Sequence, residues 1–504
     1  SVATGGSSMP KGLGGTTGAT LASAGGAPST AIGGSSTGGT TGNSSATRAT
    51  GGLSSAGGTS TKGGASSTSG ASGVTGGASS VPVGGTSARG GASSTGGSSA
   101  KGGSSTLPVG GTSTRGGASS TGGAGEVAGG TPGSGGGSGD VITKATKASE
   151  VVAAWTFGWN LGNSLDADGC GGAGAETCWG NQPSTQALFN YIATLGIKVV
   201  RIPVTWSEHL GTGPNYTIDA TWMARVDTVV NYALKAGLSA IINLHHDGAD
   251  GVANIQWINI VDSSGNVTDA NTKAVTTKFT AVWTQVANHF KDYDNHLAFE
   301  SMNEIHHGYD TPQVSWYGVV NSLNQAFVTL VRGTGGNNAQ RFLVVPGYNT
   351  NIDQTVAGFT LPTDTVANHL ILSFHYYDPY QFTLSNEIHT WGAAFSTSGT
   401  WGQEDYVRAQ FDKIKTTYID KGLPVIMGEY DAAFQSAASE DYRRYWIEYV
   451  TKAAHDRGIA PILWDAGQEL VNRDALSIRY SDVYDALKRA TTSSYTLSQV
   501  AGPK

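Results

Sequence analysis

The sequence predicts an α/β protein, a (β/α)8 barrel preceded by a disordered N-terminal segment rich in Gly, Ser and Thr. Three observations support this fold. Residues 1–140 contain 45 of the 74 glycines and no aromatic residue. From Val151 onward, short apolar runs alternate with amphipathic stretches, which indicates strands of a parallel sheet separated by helices. Eight such runs in one domain favour a closed barrel over an open doubly wound sheet.

Residues 1–140 are predicted to form a flexible linker or stalk, because they have little apolar surface to offset the entropy of ordering them. An imperfect repeat with a period of 26 residues begins at Val81 and again at Leu107. Neither copy has an apolar face through which repeats could stack. A cell-surface or partner-binding role is the alternative for this segment. Residues 141–504 are then a single folded domain.

Charge and composition exclude several classes of protein. The net charge is +4 for residues 1–140 and −11 for the remainder, so the folded part lacks the basic footprint of a nucleic-acid-binding protein. No apolar run reaches about 18 residues, so we expect no transmembrane helix. The sequence begins at Ser1 without a Met or an apolar signal region, which indicates a processed or trimmed product.

The predicted elements alternate along the chain. The eight strands are Phe157–Asn163, Lys198–Pro203, Ala240–His246, Leu297–Asn303, Arg341–Pro346, Leu370–Tyr376, Pro424–Glu429 and Ala460–Asp465. The clearest helices between them are Thr221–Ala236, Thr272–Phe290, Val314–Val331, Glu404–Lys421 and Ser439–His455. Near-continuous apolar runs are typical of strands buried on both faces. No Gly-x-Gly-x-x-Gly follows the first strand, which argues against a dinucleotide-binding sheet.

Polar side chains fall at the carboxyl ends of these strands, where a (β/α)8 barrel places its active site. Any one of them could simply end a strand in a solvated loop. Six strand ends that carry such residues together indicate one site instead. The residues are Arg201, His245, His246, Asn303, Glu304, His375, Tyr377, Glu429, Trp464 and Asp465.

Glu304 and Glu429 close the fourth and seventh strands and would face one cleft. Two carboxylates that flank a cleft are what cleavage of a glycosidic bond needs. One must be protonated and the other ionised, so their surroundings must separate their pKa values. Arg201 and Tyr377 are candidates for keeping one carboxylate ionised. For a single strand-end Glu, a structural salt bridge is the alternative.

These residues resemble the motifs of glycoside hydrolase family 5, the large cellulase family of retaining (β/α)8 hydrolases. The opening motif, together with Trp179-Gly180-Asn181, is most similar to the endoglucanase and xyloglucanase branch. The resemblance implies that residues 141–504 form a glycoside hydrolase catalytic domain. The matching stretches are jointly specific and comprise Gly158–Asn163, Val200–Pro203, Asn243–His246, Phe299–Glu304, Phe374–Tyr377, Met427–Tyr430 and Trp464–Asp465.

The resemblance also implies roles for the matching residues. Glu304 corresponds to the acid/base and Glu429 to the nucleophile, with carboxyl groups about 5–5.5 Å apart for a retaining reaction. Asn303 would bind the sugar 2-hydroxyl, and Trp464 would lie under the reacting sugar. The remaining supporting residues would hold the nucleophile (Arg201 and Tyr377) or bind sugar hydroxyls and orient the carboxylates (His245, His246 and His375).

One position departs from the family pattern. The family commonly has Pro after the Asn-Glu pair, whereas this sequence has Ile305 followed by two histidines. We therefore expect the backbone after Glu304 to follow a different path.

Two tryptophans and two cysteines lie near the predicted site. Trp179 and Trp206 each follow a motif strand, so we expect them to form cleft walls where rings stack on the C–H faces of sugars. Packing within the core or a loop is the alternative. Cys170 and Cys178 bracket a Gly-rich loop and are candidates for a short disulfide, which suits an oxidising exterior. Two free thiols are the alternative.

No metal and no cofactor are expected. His245 and His246 are adjacent, and adjacent residues on a strand point to opposite faces, which does not suit a shared metal ion.

Taken together with the family resemblance, the sequence predicts a secreted, monomeric, retaining endo-β-1,4-glucanase that acts on cellulose or a related glucan. Xyloglucanase, lichenase, xylanase or mannanase activity on the same core is the alternative. A non-catalytic polysaccharide-binding protein is the alternative from another class.

Overall fold

The computed structural model describes residues 141–504, apart from 249–255, 309–310, 386, 397–400, 435 and 437–438. The predicted stalk at 1–140, with its repeat, lies outside the described residues. Within the described part, no helix combines the length and the apolar character that crossing a bilayer demands.

Eight parallel strands close into a barrel in the order β1 to β8, which confirms the predicted fold. A short antiparallel pair, β9 (Val471–Asn472) and β10 (Ser477–Ile478), follows the barrel. The barrel strands are Gly158–Asn160 (β1), Val199–Ile202 (β2), Ser239–Ile242 (β3), Leu297–Glu300 (β4), Leu343–Pro346 (β5), Leu370–Tyr376 (β6), Val425–Tyr430 (β7) and Ile459–Leu463 (β8).

Helices surround the barrel and also close one of its ends. The five predicted helices are confirmed within a few residues as α4, α5, α6, α9 and α10. The helices are Val141–Lys144 (α1), Ala148–Ala154 (α2), Gln186–Thr194 (α3), Ala220–Lys235 (α4), Asp269–His289 (α5), Val314–Gly333 (α6), Ile352–Gly358 (α7), Tyr380–Thr383 (α8), Glu404–Thr417 (α9), Glu440–His455 (α10) and Ser481–Thr492 (α11).

Local signals explain where several helices begin and end. Asp219 accepts hydrogen bonds from the backbone N–H groups of Thr221 and Trp222, which start α4. Thr268 caps α5 in the same way. The predicted helix at Glu404–Lys421 ends at Thr417 instead, and a 3₁₀ turn at Ile419–Lys421 leads to Gly422. Gly422 has a φ of 91°, which ends the helical geometry.

The amino-terminal end of the barrel is apolar. Inward-facing strand residues such as Val199, Ile241 and Ala298 form one buried cluster with Val151 of α2 and with Trp155, which follows that helix. This helix was not predicted from the sequence. It closes the end of the barrel opposite the polar strand ends and leaves those ends as the open mouth.

Four strands end at least two residues earlier than predicted. β1 ends at Asn160, β3 at Ile242, β4 at Glu300 and β8 at Leu463. Polar side chains near these ends bind backbone groups and interrupt the regular ladder: the Asn243 side chain, for example, accepts a hydrogen bond from the Val204 N–H at 3.2 Å. Several residues predicted at strand ends therefore lie on short connecting segments at the mouth.

Candidate active site

The open mouth of the barrel brings Glu304 and Glu429 to one cleft. Glu429 lies on β7, and Glu304 lies four residues beyond the end of β4. Both line the same cavity, together with Asn303, His375 and Trp464. One carboxylate oxygen from each Glu and one ring nitrogen of His375 lie within 4.8 Å of one another.

Arg201 ties the floor of this cleft together. Its guanidinium is fully buried and donates to Glu300 (2.6 Å), Glu429 (2.7 Å) and Asn303 (2.8 Å). Burial by itself would lower the pKa of Arg201, but the carboxylates of Glu300 and Glu429 raise it above its usual range. Arg201 therefore stays charged and holds Glu429 in a fixed orientation.

Glu300 is a site residue that the sequence reasoning missed. Its fully buried carboxylate accepts hydrogen bonds from Arg201 and from the Asn243 side chain, the latter at 3.0 Å. The available signal was a charged residue within a strand that otherwise reads as apolar. A charge at such a position needs a buried partner, and Arg201 supplies it.

The two cleft carboxylates have different surroundings. Glu429 accepts hydrogen bonds from Arg201 and, at 3.0 Å, from the Tyr377 hydroxyl. Burial raises the pKa of Glu429, while His375 and Arg201 act in the opposite direction. Glu304 is paired with the Nδ1 atom of His375 at 2.6 Å and accepts from the Thr350 hydroxyl at 3.3 Å. The same His375 nitrogen lies 3.7 Å from Glu429, so this ring lies between the two carboxylates.

Two histidines and Trp464 line the cleft beside Glu429. The rings of His245 and Trp464 stack nearly parallel, with centroids 5.7 Å apart. Burial, with nearby His246, Arg201 and His375, lowers the pKa of His245 well below its ordinary value, so this ring is neutral. The indole of Trp464 lies so close to Gly162 that a Cβ there would come within 2.7 Å of the ring.

His245 and His246 do not point to opposite faces of a strand, as was expected when a shared metal ion was argued against. β3 ends at Ile242, so His245 and His246 lie beyond the strand and their rings meet at a centroid distance of 4.4 Å rather than pointing to opposite faces. The Nε2 atom of His246 lies 3.8 Å from a carboxylate oxygen of Asp166. Two groups of residues in the described part have donor atoms close enough to share an ion: Asp166 with His245 and His246, and Glu304 with His375 and Glu429.

The expectation for Trp206 as a cleft wall is wrong. Trp206 is fully buried and donates from its indole N–H to the Asn243 carbonyl at 3.0 Å. The connection after β2 therefore turns this ring into the core beneath the mouth. Trp179 is half-buried and does not line the cavity around the carboxylates; its ring contacts that of the cleft residue His246 at a centroid distance of 5.3 Å.

Two further features singled out in the sequence, Ile305 after Glu304 and the cysteine pair, lie in the connections around the cleft. Ile305 is buried, and its backbone carbonyl accepts from the Asn349 N–H at 3.0 Å, which joins the segment after β4 to the segment after β5. Cys170 and Cys178 form a disulfide in the loop that leads to Trp179.

The far walls of the cleft carry acidic residues that the sequence reasoning did not single out. Glu469 lies beyond Trp464, and burial together with Asp465 raises its pKa to about 7. Asp378 lies on the other side, next to Tyr406, and burial raises its pKa to about 7. Glu469 lies six residues beyond β8, where strand-end reasoning gives no signal, whereas Asp378 directly follows the strand-end candidate Tyr377.

Comparisons with known proteins agree with this geometry. The model of the cellulase family, glycosyl hydrolase family 5, matches residues 165–470. Endoglucanase A of Paenibacillus barcinonensis is 38% identical over 343 residues, which cover 64% of this chain and 84% of that protein.

Two solved structures are similar over the same region. A GH5-4 broad specificity endoglucanase from Bacteroides salanitronis has a TM-score of 0.65 and 44% identity, and the match covers 69% of this chain and 96% of that one. A family 5 xyloglucanase from Paenibacillus pabuli, solved with a ligand, has a TM-score of 0.63 and 37% identity, covering 68% and 100% of the respective chains.

Proposed function

The chain belongs to the cellulase family, glycosyl hydrolase family 5, and is a glycoside hydrolase with endo-β-1,4-glucanase activity; on that premise we propose that it works by a retaining double displacement in which Glu429 is the nucleophile and Glu304 the acid/base. The observation that carries this proposal is the arrangement of these carboxylates around His375. Their nearest atoms lie within 4.8 Å of each other. Inverting enzymes keep the carboxyl groups about 6.5–9.5 Å apart to admit a water molecule, so the close spacing supports retention.

The surroundings of the carboxylates support their separate roles. Arg201 and Tyr377 both donate to Glu429, which favours its ionised form and fixes its lone pairs for attack on the anomeric carbon. Glu304 is more exposed, with 15% of its side chain accessible against 7% for Glu429, and it faces the cleft beside His375. In this position it protonates the departing glycosidic oxygen.

The reaction then proceeds in two displacements. Glu429 forms a covalent bond to the anomeric carbon as the bond to the leaving oxygen breaks and Glu304 gives up its proton. Glu304, now a carboxylate, removes a proton from water, which attacks the same carbon and releases Glu429. Asn303, held by Arg201, and the stacked pair of His245 and Trp464 bind the reacting sugar.

The substrate is a β-1,4-linked glucan that binds across the open mouth. The two solved relatives named above are described as a broad specificity endoglucanase and a xyloglucanase. We therefore infer that cellulose, mixed-linkage glucan or xyloglucan is the substrate, ahead of xylan or mannan. The disulfide between Cys170 and Cys178 supports action outside the cell, because disulfides persist in oxidising surroundings.

The direct test is the release of reducing sugar from soluble cellulose, xyloglucan, mixed-linkage glucan, xylan and mannan. We expect the wild type to cleave at least one β-1,4-glucan and Glu429→Ala to lose that activity while it still binds the polymer. Glu387→Ala, which removes an exposed carboxylate, is the matched control and should remain active.

Two results would contradict the proposal. Retained turnover by Glu429→Ala would exclude Glu429 as the nucleophile, and binding without turnover by the wild type would favour the polysaccharide-binding alternative. Proton NMR of the first product formed distinguishes the stereochemistry. Initial release of the β-anomer indicates retention, whereas initial release of the α-anomer would refute it.

A further inference from the structure

The exposed aromatic side chains of the described residues are confined to one side of the barrel mouth. Tyr380, Phe395 and Trp401 lie in the connection between β6 and α9, and Phe434 lies in the connection after β7. Trp401 is the most exposed of them, with 47% of its surface accessible. Exposed rings collected at one edge of a site mark a binding surface more often than rings scattered singly. Tyr380 lines the catalytic cleft and Trp401 lines a second groove, whereas Phe395 and Phe434 line neither cavity.

Trp401 borders a second groove outside the catalytic cleft. The groove runs between the start of α9, α10 and the segment at Leu497–Val500 near the C-terminus, and its volume is about 880 Å³. This volume falls in the range of about 300–1,000 Å³ that is typical of small-molecule sites. Its walls combine the aromatic rings of Trp401, Tyr406 and Tyr445 with the charged side chains of Asp405 and Arg408.

The wall of this groove is fixed by hydrogen bonds. The buried Trp391 donates its indole N–H to the Gly402 carbonyl at 2.8 Å. The Ala393 N–H donates to Glu404 at 2.8 Å, and the Tyr445 hydroxyl donates to the same carboxylate at 2.8 Å. Since Ala393 and Tyr445 of α10 both donate to Glu404 of α9, this part of the groove wall is held in place before any ligand binds, and the entropic cost of binding is reduced.

Tyr406 connects the groove to the catalytic cleft. It lines both cavities, and its ring meets Trp401 edge to face at a centroid distance of 5.3 Å. On the cleft side, Tyr406 hydrogen-bonds to Asp378, whose neighbour Tyr377 contacts Glu429. A ligand that leaves the cleft past Tyr377 would therefore pass over Tyr406 and reach Trp401 without leaving the protein surface.

We propose that this groove binds a further stretch of the glucan chain held in the cleft, with Trp401 as a stacking platform and Asp405 and Arg408 as partners for sugar hydroxyls. The alternation of ring faces with charged hydrogen-bonding groups fits a sugar chain, which presents apolar C–H faces and hydroxyls in turn. The exposed Arg408 is held by the Tyr449 hydroxyl, so its guanidinium is already oriented. This inference rests on the proposed function only in that the ligand is taken to be the glucan cleaved in the cleft.

The test measures binding as a function of chain length in the inactive Glu429→Ala background. A soluble β-1,4-glucan polymer and cellotriose are the two ligands, and the variants are Trp401→Ala, Trp401→Phe and Phe434→Ala. Trp401→Ala should weaken binding of the polymer about 5- to 10-fold, the equivalent of one aromatic stacking contact. The ratio of polymer to cellotriose affinity should fall by the same factor, because cellotriose is too short to fill both cavities.

The other two variants serve as controls. Trp401→Phe keeps a ring and should recover part of the polymer affinity. Phe434→Ala removes a ring of similar exposure, 44%, that lines neither cavity, and it should bind both ligands like its parent. Because Trp401 is half exposed, its truncation removes little core packing, and unfolding temperatures check that each variant is folded.

Several outcomes would contradict the proposed role of the groove in binding the glucan chain. Unchanged polymer binding by Trp401→Ala, or an equal loss for polymer and cellotriose, would exclude a separate chain-binding role. A change of oligomeric state in Trp401→Ala would instead assign the surface to a second copy of the chain. The proposed function fails separately: if the wild type turns over no glucan yet binding still depends on Trp401 and chain length, the groove stands and the hydrolase assignment falls.

Discussion

The two ends of the barrel interior are built from neighbouring positions on the same strands, yet one end is an apolar plug and the other an ionic network. At the amino-terminal end, Val199, Ile241 and Ala298 face inward and pack on α2. Two residues further along the chain, Arg201, Asn243 and Glu300 face the same interior, and Glu300 accepts hydrogen bonds from both Arg201 and Asn243. Side chains two positions apart on a strand share a face, so the change from apolar to polar side chains occurs between successive inward-facing positions.

This difference shows how the barrel separates stability from chemistry. The apolar end gains free energy by removing surface from water. The polar end carries an Arg and two Glu side chains that are nearly or fully buried, which costs desolvation unless each group is paired. The surrounding fold therefore holds these charged side chains together at the mouth, and removing any one of them leaves a buried partner unpaired.

The largest effect is expected from removing Glu304, the proposed proton donor at the polar end. Glu304→Gln should slow the hydrolysis of unactivated glucan by roughly 10²–10⁴-fold, because general acid catalysis is lost. Substrates with activated aryl leaving groups need little protonation and should lose far less. The measurement is kcat/KM for polymer and for an aryl cellobioside, with Glu387→Gln as the control. Equal losses on both substrates would exclude the acid role.

The next effect concerns stability rather than rate. Arg201→Met leaves Glu300 and Glu429 buried without their cation and should lower the free energy of unfolding by about 3–5 kcal/mol. Lys415→Met is the control, because Lys415 and its partner Asp420 have side chains that are 39% and 47% exposed. Surface pairs contribute only about 0–1 kcal/mol, so this variant should change little.

Denaturant unfolding of Arg201→Met and of Lys415→Met measures this difference in unfolding free energy. Adding Glu300→Gln to Arg201→Met removes one unpaired charge and should recover part of the lost stability. Equal unfolding free energies for the Arg201 and Lys415 variants would show that the buried carboxylates at the polar end do not depend on Arg201 for their stability.

The contrast between the two ends also explains what the sequence could and could not predict. Arg201, Tyr377 and Glu429 follow directly from strand order, because parallel strands in a closed barrel must bring their carboxyl ends together. Glu304 and His375 follow for the same reason, although Glu304 lies on a connecting segment beyond β4. Once the barrel topology is recognised, it therefore predicts that these residues meet in one cleft.

Features that depend on the path of a loop were not predictable. Trp206 was expected at the cleft surface, but the connection after β2 buries it so that its N–H reaches the Asn243 carbonyl. The plug helix α2 is only seven residues long, too short for a clear amphipathic period to stand out. Trp401 and Tyr406 form a groove with α10 only through tertiary packing, which no local pattern reports.

A moderate effect is expected in the pH profile. Burial raises the pKa of Glu429 above the ordinary 4.5, although His375 and Arg201 oppose the shift. As the proposed nucleophile, Glu429 must be ionised, so kcat/KM should fall as the pH drops through this raised pKa, by about tenfold per unit below it. The acidic limb for an aryl cellobioside should therefore have its midpoint above 4.5. In Arg201→Met it should move to higher pH, and a midpoint at or below 4.5 in the wild type would contradict the assignment.

The smallest effect tests the apolar end alone. Ile371 lies on β6 in the cluster that packs on α2, four residues before His375 on the same strand. Ile371→Val deletes one buried methyl group and should lower the free energy of unfolding by about 0.5–1.5 kcal/mol. Because the cavity forms among apolar side chains at the closed end, the positions of Arg201 and the carboxylates should not change, and kcat/KM well below the melting temperature should equal that of the wild type. A loss of activity larger than the loss of stability would show that the two ends are mechanically coupled, and that the plug helps to position the site.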